Sequence, residues 1–107
     1  MATRALIHMS SSARRGDVVE IRTLLQHPME SGYRADSEGR VLPRNIVRSF
    51  ACRYDGELVF SAELHPAIAA NPYLAFSTLA TASGTLVFTW SGDNNFSHTE
   101  TLFITVT

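Results

Sequence analysis

Short stretches in which apolar and polar residues alternate recur along this chain of 107 residues, and turn-forming residues separate them. Successive side chains of a β-strand point to opposite faces, so a period of two gives a strand one apolar face. The clearest example runs from Leu58 to Leu64: Leu58, Phe60, Ala62 and Leu64 alternate with Val59, Ser61 and Glu63. Because no segment shows a helical period, the pattern predicts an all-β protein.

We predict about seven strands, each bounded by Gly, Asn, Asp, Ser or Pro. They cover residues 3–9, 18–25, 46–54, 58–64, 73–80, 85–90 and 96–107. This number of short antiparallel strands in a chain of this length is typical of an immunoglobulin-like, early-set β-sandwich. The length fits a single domain spanning residues 1–107.

Two local features refine the strand prediction. Tyr54-Asp55-Gly56-Glu57 predicts a tight hairpin turn, which would pair strand 46–54 with strand 58–64. Arg48 has the same parity as the apolar residues Phe50, Cys52 and Tyr54, although a charged side chain does not belong in a core. A β-bulge or a later strand start would resolve this conflict.

The composition excludes several classes of protein. The hydrophobic fraction is 45%, the charged fraction is 18% and the formal net charge is −1, which is typical of a globular domain and predicts no nucleic-acid partner. The longest apolar run is too short to cross a membrane, and the first residues lack the apolar region of a secretory signal. No phosphate-binding glycine loop, nucleophile elbow or dinucleotide motif is present.

Residues 26–45 interrupt the rhythm of strands and turns with a long segment rich in proline, glycine and charge. Loops of this length inside small domains are uncommon and often functional. The arginines of the segment (Arg34, Arg40 and Arg44) are interleaved with acids (Glu30, Asp36 and Glu38), so we expect a solvated loop whose charges pair with one another.

Cys52 is the only cysteine, so the disulfide that joins the sheets of antibody domains cannot form. Its parity with Phe50 and Tyr54 predicts that it lies in the core. A nucleophilic cysteine needs a lowered pKa, a base and partial exposure, and the sequence indicates none of these.

Metal binding is a weaker hypothesis. The four histidines are scattered, and His27 with Glu30 is the nearest pair of potential ligands. A structural histidine and a solvated carboxylate are the more common outcome in such a loop. The alternative function is therefore a small metal-dependent redox protein that uses His27 and Glu30, while the main interpretation requires no metal and no cofactor.

Several blocks of the chain, taken in order, resemble the SoxZ family of bacterial thiosulfate oxidation. Within the long loop they are His27-Pro28-Met29-Glu30-Ser31-Gly32-Tyr33-Arg34-Ala35-Asp36, Gly39 and Pro43-Arg44-Asn45-Ile46-Val47. Downstream they are Phe50-Ala51-Cys52-Arg53-Tyr54-Asp55-Gly56, Val59-Phe60-Ser61-Ala62, Asn71-Pro72-Tyr73-Leu74-Ala75-Phe76, Ser83-Gly84-Thr85-Leu86 and Phe88-Thr89-Trp90. The chain differs from the family pattern after Trp90. Its residues Gly92-Asp93-Asn94-Asn95 carry less negative charge than the Asp-rich hairpin that is usual in the family.

The resemblance implies a non-catalytic scaffold and docking subunit that pairs with SoxY, as a heterodimer or a larger assembly. In that family SoxY carries the sulfur intermediates on a mobile carboxyl-terminal cysteine arm, and the complex meets other sulfur-oxidation enzymes. This chain instead closes on Ile104-Thr105-Val106-Thr107, which predicts a strand rather than an arm.

The resemblance also implies residence in the periplasm, reached by co-export with a signal-bearing SoxY. The loop residues expected to recognise the partner are Met29, Glu30, Tyr33, Arg34 and Arg44. A homodimer of the isolated chain is a further possibility.

Overall fold

Eight β-strands form two sheets in the computed structural model, which describes residues 4–66 and 68–107. The strands are β1 (Ala5–His8), β2 (Ser12–Ala13), β3 (Val18–Leu25), β4 (Val47–Tyr54), β5 (Glu57–Glu63), β6 (Tyr73–Leu79), β7 (Gly84–Gly92) and β8 (Ser97–Val106). One sheet has the order β1-β3-β6 and the other has the order β2-β8-β7-β4-β5. The described residues form no helix, and therefore none that could span a membrane. The predicted immunoglobulin-like β-sandwich is confirmed.

The connections follow the predicted turns. β4 and β5 pair antiparallel across a turn in which Asp55 and Gly56 have φ values of 49° and 83°. Two successive positive φ values are what a tight hairpin turn requires, and Asp-Gly provides them at little cost. The segment after β5 then crosses to the other sheet, where β6 pairs with β3 over seven residue pairs without a register shift.

A two-residue strand near the amino terminus was not predicted. β2 pairs in parallel with β8 through Ser12 and Ala13, so the chain leaves one sheet after β1 and joins the other. Two residues are too few to produce a detectable alternation, which is why the sequence gives no signal for this strand.

A β-bulge in β4 accounts for Arg48. The register of β4 against β7 shifts between Val47 and Ser49, and Val47 is buried whereas Arg48 is exposed. The anticipated irregularity is therefore present. It brings the backbone so close to Gly92 that a Cβ atom there would lie 2.3 Å from the Ile46 carbonyl oxygen.

A second register shift, between β4 and β5, makes the predicted apolar face of residues 58–64 wrong at one position. Cys52 lies opposite Phe60, but the next residue, Arg53, lies opposite Leu58, so Val59 is the extra residue in β5. As a result, Val59 packs partly against the core and Leu58 is 48% exposed. The predicted apolar face of β5 therefore holds from Phe60 onward and fails at Leu58.

The core lies between the two sheets and is largely aromatic. Phe50 occupies its centre and packs against Phe60, Phe76, Phe88 and Trp90, with ring centroids between 5.0 and 6.5 Å apart. Aromatic side chains remove large apolar areas from water, so this cluster supplies much of the driving force for folding.

Candidate docking surface

In the long loop between β3 and β4, two segments run antiparallel to each other. The first leg leads away from β3 as far as Ala35, and the second leg returns from Val41 to β4. Glu30 and Asn45 exchange backbone hydrogen bonds of 2.8 Å in both directions, and Ala35 forms an isolated bridge with Val41 further out. At the tip, the Asp36 carboxylate accepts hydrogen bonds from the backbone amides of Glu38 and Arg40. The loop is therefore held in shape by its own hydrogen bonds although it contains no regular strand.

Its first leg is fixed to the sandwich through His27 and Met29. The amide of Met29 donates to Nδ1 of His27 at 3.0 Å, and the amide of Val47 lies 3.2 Å from the Met29 sulfur. The backbone of Asn71 donates to the His27 carbonyl, while the His27 amide donates to the Asn71 side chain. Burial lowers the pKa of His27, which favours the neutral ring that can accept the Met29 amide.

Its second leg is fixed through Asp93, which lies in the turn between β7 and β8. The Arg44 guanidinium makes two hydrogen bonds to this carboxylate, at 2.8 and 3.0 Å, and the Ile46 amide makes another at 3.2 Å. Arg48 approaches the carboxylate at 3.5 Å. The Arg44 hydrogen bond lowers the pKa of Asp93, with further contributions from the Ile46 amide and the two arginine charges.

Asp93 is an anchor of the loop that could not be identified from the sequence. It lies 49 residues from Arg44, so no local spacing links the two. The only available signal was the position of Asp93 in the turn where the family usually carries more acids.

Four of the five predicted recognition residues reach the surface of the loop. Tyr33 is 87% exposed, and Arg34 pairs with Glu30 at 2.6 Å. The hydrogen bond from Arg34 is the largest of the effects that lower the pKa of Glu30. Arg44 is partly exposed beside Asp93.

Met29 differs from the other four because its side chain is 5% exposed and belongs to the core. It has a φ of 52°, the left-handed conformation, which turns the chain into the loop. A buried side chain offers little surface to a partner, so this geometry favours a structural role for Met29 over direct contact.

The geometry does not favour metal binding by His27 and Glu30. Nδ1 of His27 already accepts an amide, and the Glu30 carboxylate is paired with Arg34. Across residues 4–66 and 68–107, no group of three or more His, Cys, Asp or Glu side chains is close enough together to hold a metal ion.

The environment of Cys52 disfavours its thiolate. Its side chain is 0% exposed, and burial raises its pKa to about 12. Since the thiolate is the reactive form, this environment disfavours nucleophilic reaction of the thiol at neutral pH. The predicted core position of Cys52 is confirmed.

These features define an immunoglobulin-like β-sandwich with an exposed, charged loop that is braced at its base. The chain belongs to the SoxZ family, since the family described as sulphur oxidation protein SoxZ matches residues 7–102. No curated protein sequence matches the chain.

Solved structures with the same fold include proteins of two kinds. The sulfur carrier protein SoxY from Chlorobium limicola f thiosulfatophilum has a TM-score of 0.68 and 13% identity, over 96% of this chain and 78% of that one. The superoxide reductase (neelaredoxin) from Ignicoccus hospitalis has a TM-score of 0.72 and 13% identity, over 98% and 82%. A putative superoxide reductase from Thermotoga maritima has a TM-score of 0.63 and 15% identity, over 96% and 85%. At these identities the likeness concerns the fold alone.

Proposed function

We propose that this chain is the non-catalytic scaffold and docking subunit of a sulfur-carrier complex in thiosulfate oxidation. It pairs with SoxY, and the reactive sulfur is held by the cysteine arm of that partner. Membership of the SoxZ family supports this assignment, as does the fold that the chain shares with a SoxY structure.

The state of Cys52 is the observation that carries the proposal. A carrier thiol must reach the enzymes that load and unload it, and it must ionise near neutral pH. The only cysteine of this chain is fully buried with a pKa of about 12. The sulfur intermediate therefore belongs on the partner, and this chain contributes a binding surface.

The exposed part of the loop is suited to recognition of SoxY. Tyrosine and arginine are enriched among residues that contribute most to binding, and Tyr33, Arg34 and Arg44 lie together on one loop. The anchored base reduces the conformational entropy that such a loop would lose on binding. Glu30 orients Arg34, while Met29 holds the leg that carries both of them.

Co-elution with SoxY tests the proposal. A mixture of the purified chain and its cognate SoxY should elute from a size-exclusion column as one complex. Tyr33→Ala should weaken binding about tenfold, the loss expected for an exposed aromatic anchor. Phe103→Ala, which removes an exposed aromatic side chain from β8, is the matched control and should leave the affinity for SoxY unchanged. Separate elution of the two wild-type chains would reject the pairing.

We also propose that the complex works in the periplasm and that this chain is exported together with a signal-bearing SoxY. Kinship with the SoxZ family supports this location. Fractionation of cells that express both chains should place them in the periplasm. Deleting the signal of SoxY should retain both chains in the cytoplasm, whereas export of this chain alone would contradict the proposal.

A further inference from the structure

Strand β6 is an outer strand of the three-stranded sheet, and its second edge has no partner among the described residues. It pairs with β3 on one side through an uninterrupted register from Leu79 to Tyr73. The hydrogen bonds at its ends show which backbone groups point toward β3. The Pro72 carbonyl accepts from Leu25, the Ala80 amide donates to Asp17, and the Ala80 carbonyl accepts from Gly16.

The backbone groups of alternate residues therefore face away from β3. In an antiparallel pair, a residue directs its N–H and its C=O to the same side, and the side alternates along the strand. Since Pro72 and Ala80 point to β3, the even residues between them do so too. The odd residues form the free edge: Tyr73, Ala75, Ser77 and Leu79.

The free edge lacks the protection that natural sheets usually give their outer strands. Charged side chains, proline, bulges and short length are the common devices, and a long apolar edge without them is a site for pairing with another strand. β6 has seven residues with no charge, no proline and no register shift. Tyr73 and Leu79 are 57% and 55% exposed.

The other sheet edges in the described part of the chain are protected. β5 begins and ends with Glu57 and Glu63 and contains the bulge at Val59. β1 has four residues and β2 has two. Among these outer strands, only β6 is both long and free of charged side chains and register shifts.

The sequence of β6 is complementary to itself in an antiparallel register centred on Phe76. This register places Tyr73 opposite Leu79 of a second copy, and Ala75 opposite Ser77 of that copy, and each pair occurs twice about the twofold axis. The apolar pairs lie at the two ends and the small residues meet in the middle, where neither side chain carries charge. All four free-edge residues would then exchange both backbone hydrogen bonds with the second copy.

A second copy would also cover an exposed part of the core. Phe60 of β5 and Phe76 of β6 stack with ring centroids 4.4 Å apart, and both rings are only partly buried. They lie on the inner faces of two strands that are each the outer strand of their sheet. A strand added beside β6 would shield this pair from water.

We propose that the β6 edge is a self-association site, through which two copies of this chain form a continuous six-stranded sheet of order β1-β3-β6-β6-β3-β1. The occupant is the β6 strand of the second copy in the register centred on Phe76. The interface is small, so the association is weak and depends on concentration.

Sedimentation equilibrium of the isolated full chain tests the proposal. The wild-type chain should pass from monomer to dimer with a dissociation constant between about 10 and 1000 µM. Ser77→Lys places two like charges near each other at the centre of the paired strands and should weaken the dimer at least about tenfold. Ser61→Lys makes the same change at an exposed serine of the other long outer strand and should leave the dimer intact. A wild-type chain that stays monomeric up to about 1 mM overturns the proposal.

Amide hydrogen exchange gives a second, residue-level readout that does not depend on a variant folding. The amides of the even residues bond to β3 and should be protected at every concentration. The free-edge amides should gain protection by about tenfold or more between dilute and concentrated samples. Protection of the even and odd amides alike in a dilute monomer overturns the proposal.

Adding SoxY separates this inference from the proposed function. If free-edge protection appears only when SoxY is present, the edge belongs to the heterologous partner and the self-association site is rejected. If SoxY binds while the β6 dimer persists, both proposals hold. If SoxY does not bind but the chain dimerises through β6, the proposed function fails and the self-association site stands.

Discussion

Two buried residues, Cys52 and His27, show how far the sequence determines single side chains. The parity of Cys52 with its apolar neighbours predicted burial, and the structure agrees because alternation is a local property of one strand. The partner of His27 could not be predicted in the same way. Its acceptor role depends on the left-handed turn at Met29, and its other hydrogen bonds come from Asn71 in a distant segment.

Cys52 should resist thiol reagents in the folded chain. Labelling at neutral pH should be slow and should accelerate in denaturant, because the folded state buries the thiol and raises its pKa to about 12 from an ordinary value of 9.0. The same shift makes the folded state less favourable as the pH rises from 9.0 to about 12, since the unfolded chain ionises first. Rapid labelling of the native chain would indicate a sulfur acceptor instead.

The base of the loop should loosen in mild acid. The lowered pKa of His27 means that the unfolded chain takes up the proton first, so stability falls as the pH decreases below 6.5 toward the folded value. A protonated Nδ1 can no longer accept the Met29 amide. The protection factor of the Met29 amide, which is corrected for the slower intrinsic exchange at low pH, should therefore fall on acidification, and the protection factor of Phe88 in the core provides the control. An equal fall at both residues would assign the effect to global unfolding.

At the scale of elements, strands and turns could be predicted but registers could not. The Asp-Gly hairpin and the non-strand segment 26–45 were read from local composition, and both are confirmed. The β-bulges were harder to predict from the sequence. A bulge gives a signal there only when it places a charged residue at a position where the alternation calls for an apolar one. Arg48 gave that signal, whereas Leu58 continued an apolar alternation that the structure breaks at Val59.

Gly92→Ala should destabilise the fold strongly because of the bulge in β4. The new Cβ would lie 2.3 Å from the Ile46 carbonyl oxygen and 2.8 Å from the Val47 Cα, and neither backbone atom moves easily. We expect a loss of about 3 kcal/mol in the free energy of unfolding, measured by urea denaturation. Gly39→Ala meets open space and only strains a backbone with positive φ, so it should cost about 1 kcal/mol. Equal losses for the two variants would contradict the close approach.

The two arginines at Asp93 should differ in how they affect the loop. Arg44 binds the carboxylate with two hydrogen bonds, whereas Arg48 makes one longer contact of 3.5 Å. Arg44→Ala should therefore weaken SoxY binding and raise amide exchange at Asn45, and Arg48→Ala should do so much less. Titration calorimetry with SoxY and exchange measurements on the free chain check both effects. A larger effect of Arg48→Ala would contradict the assigned geometry.

For the whole molecule, the sandwich class could be predicted because about seven alternating segments leave few other architectures. The order of strands in each sheet could not be predicted, since β2 changes sheets over only two residues. The geometry of the candidate docking surface could be predicted only in part. The loop was identified from its length and charge, but its anchor to Asp93 joins segments that are remote in sequence.

Intact-mass spectrometry distinguishes a subunit that supports a sulfur carrier, as we propose for this chain, from one that carries sulfur itself. The complex of this chain with SoxY should be exposed to a polysulfide donor under native conditions, and the masses of both chains should then be measured. We expect added sulfur atoms on SoxY alone and the same loading when this chain carries Cys52→Ala. Sulfur atoms added to this chain, and lost with Cys52→Ala, would reject the proposed role.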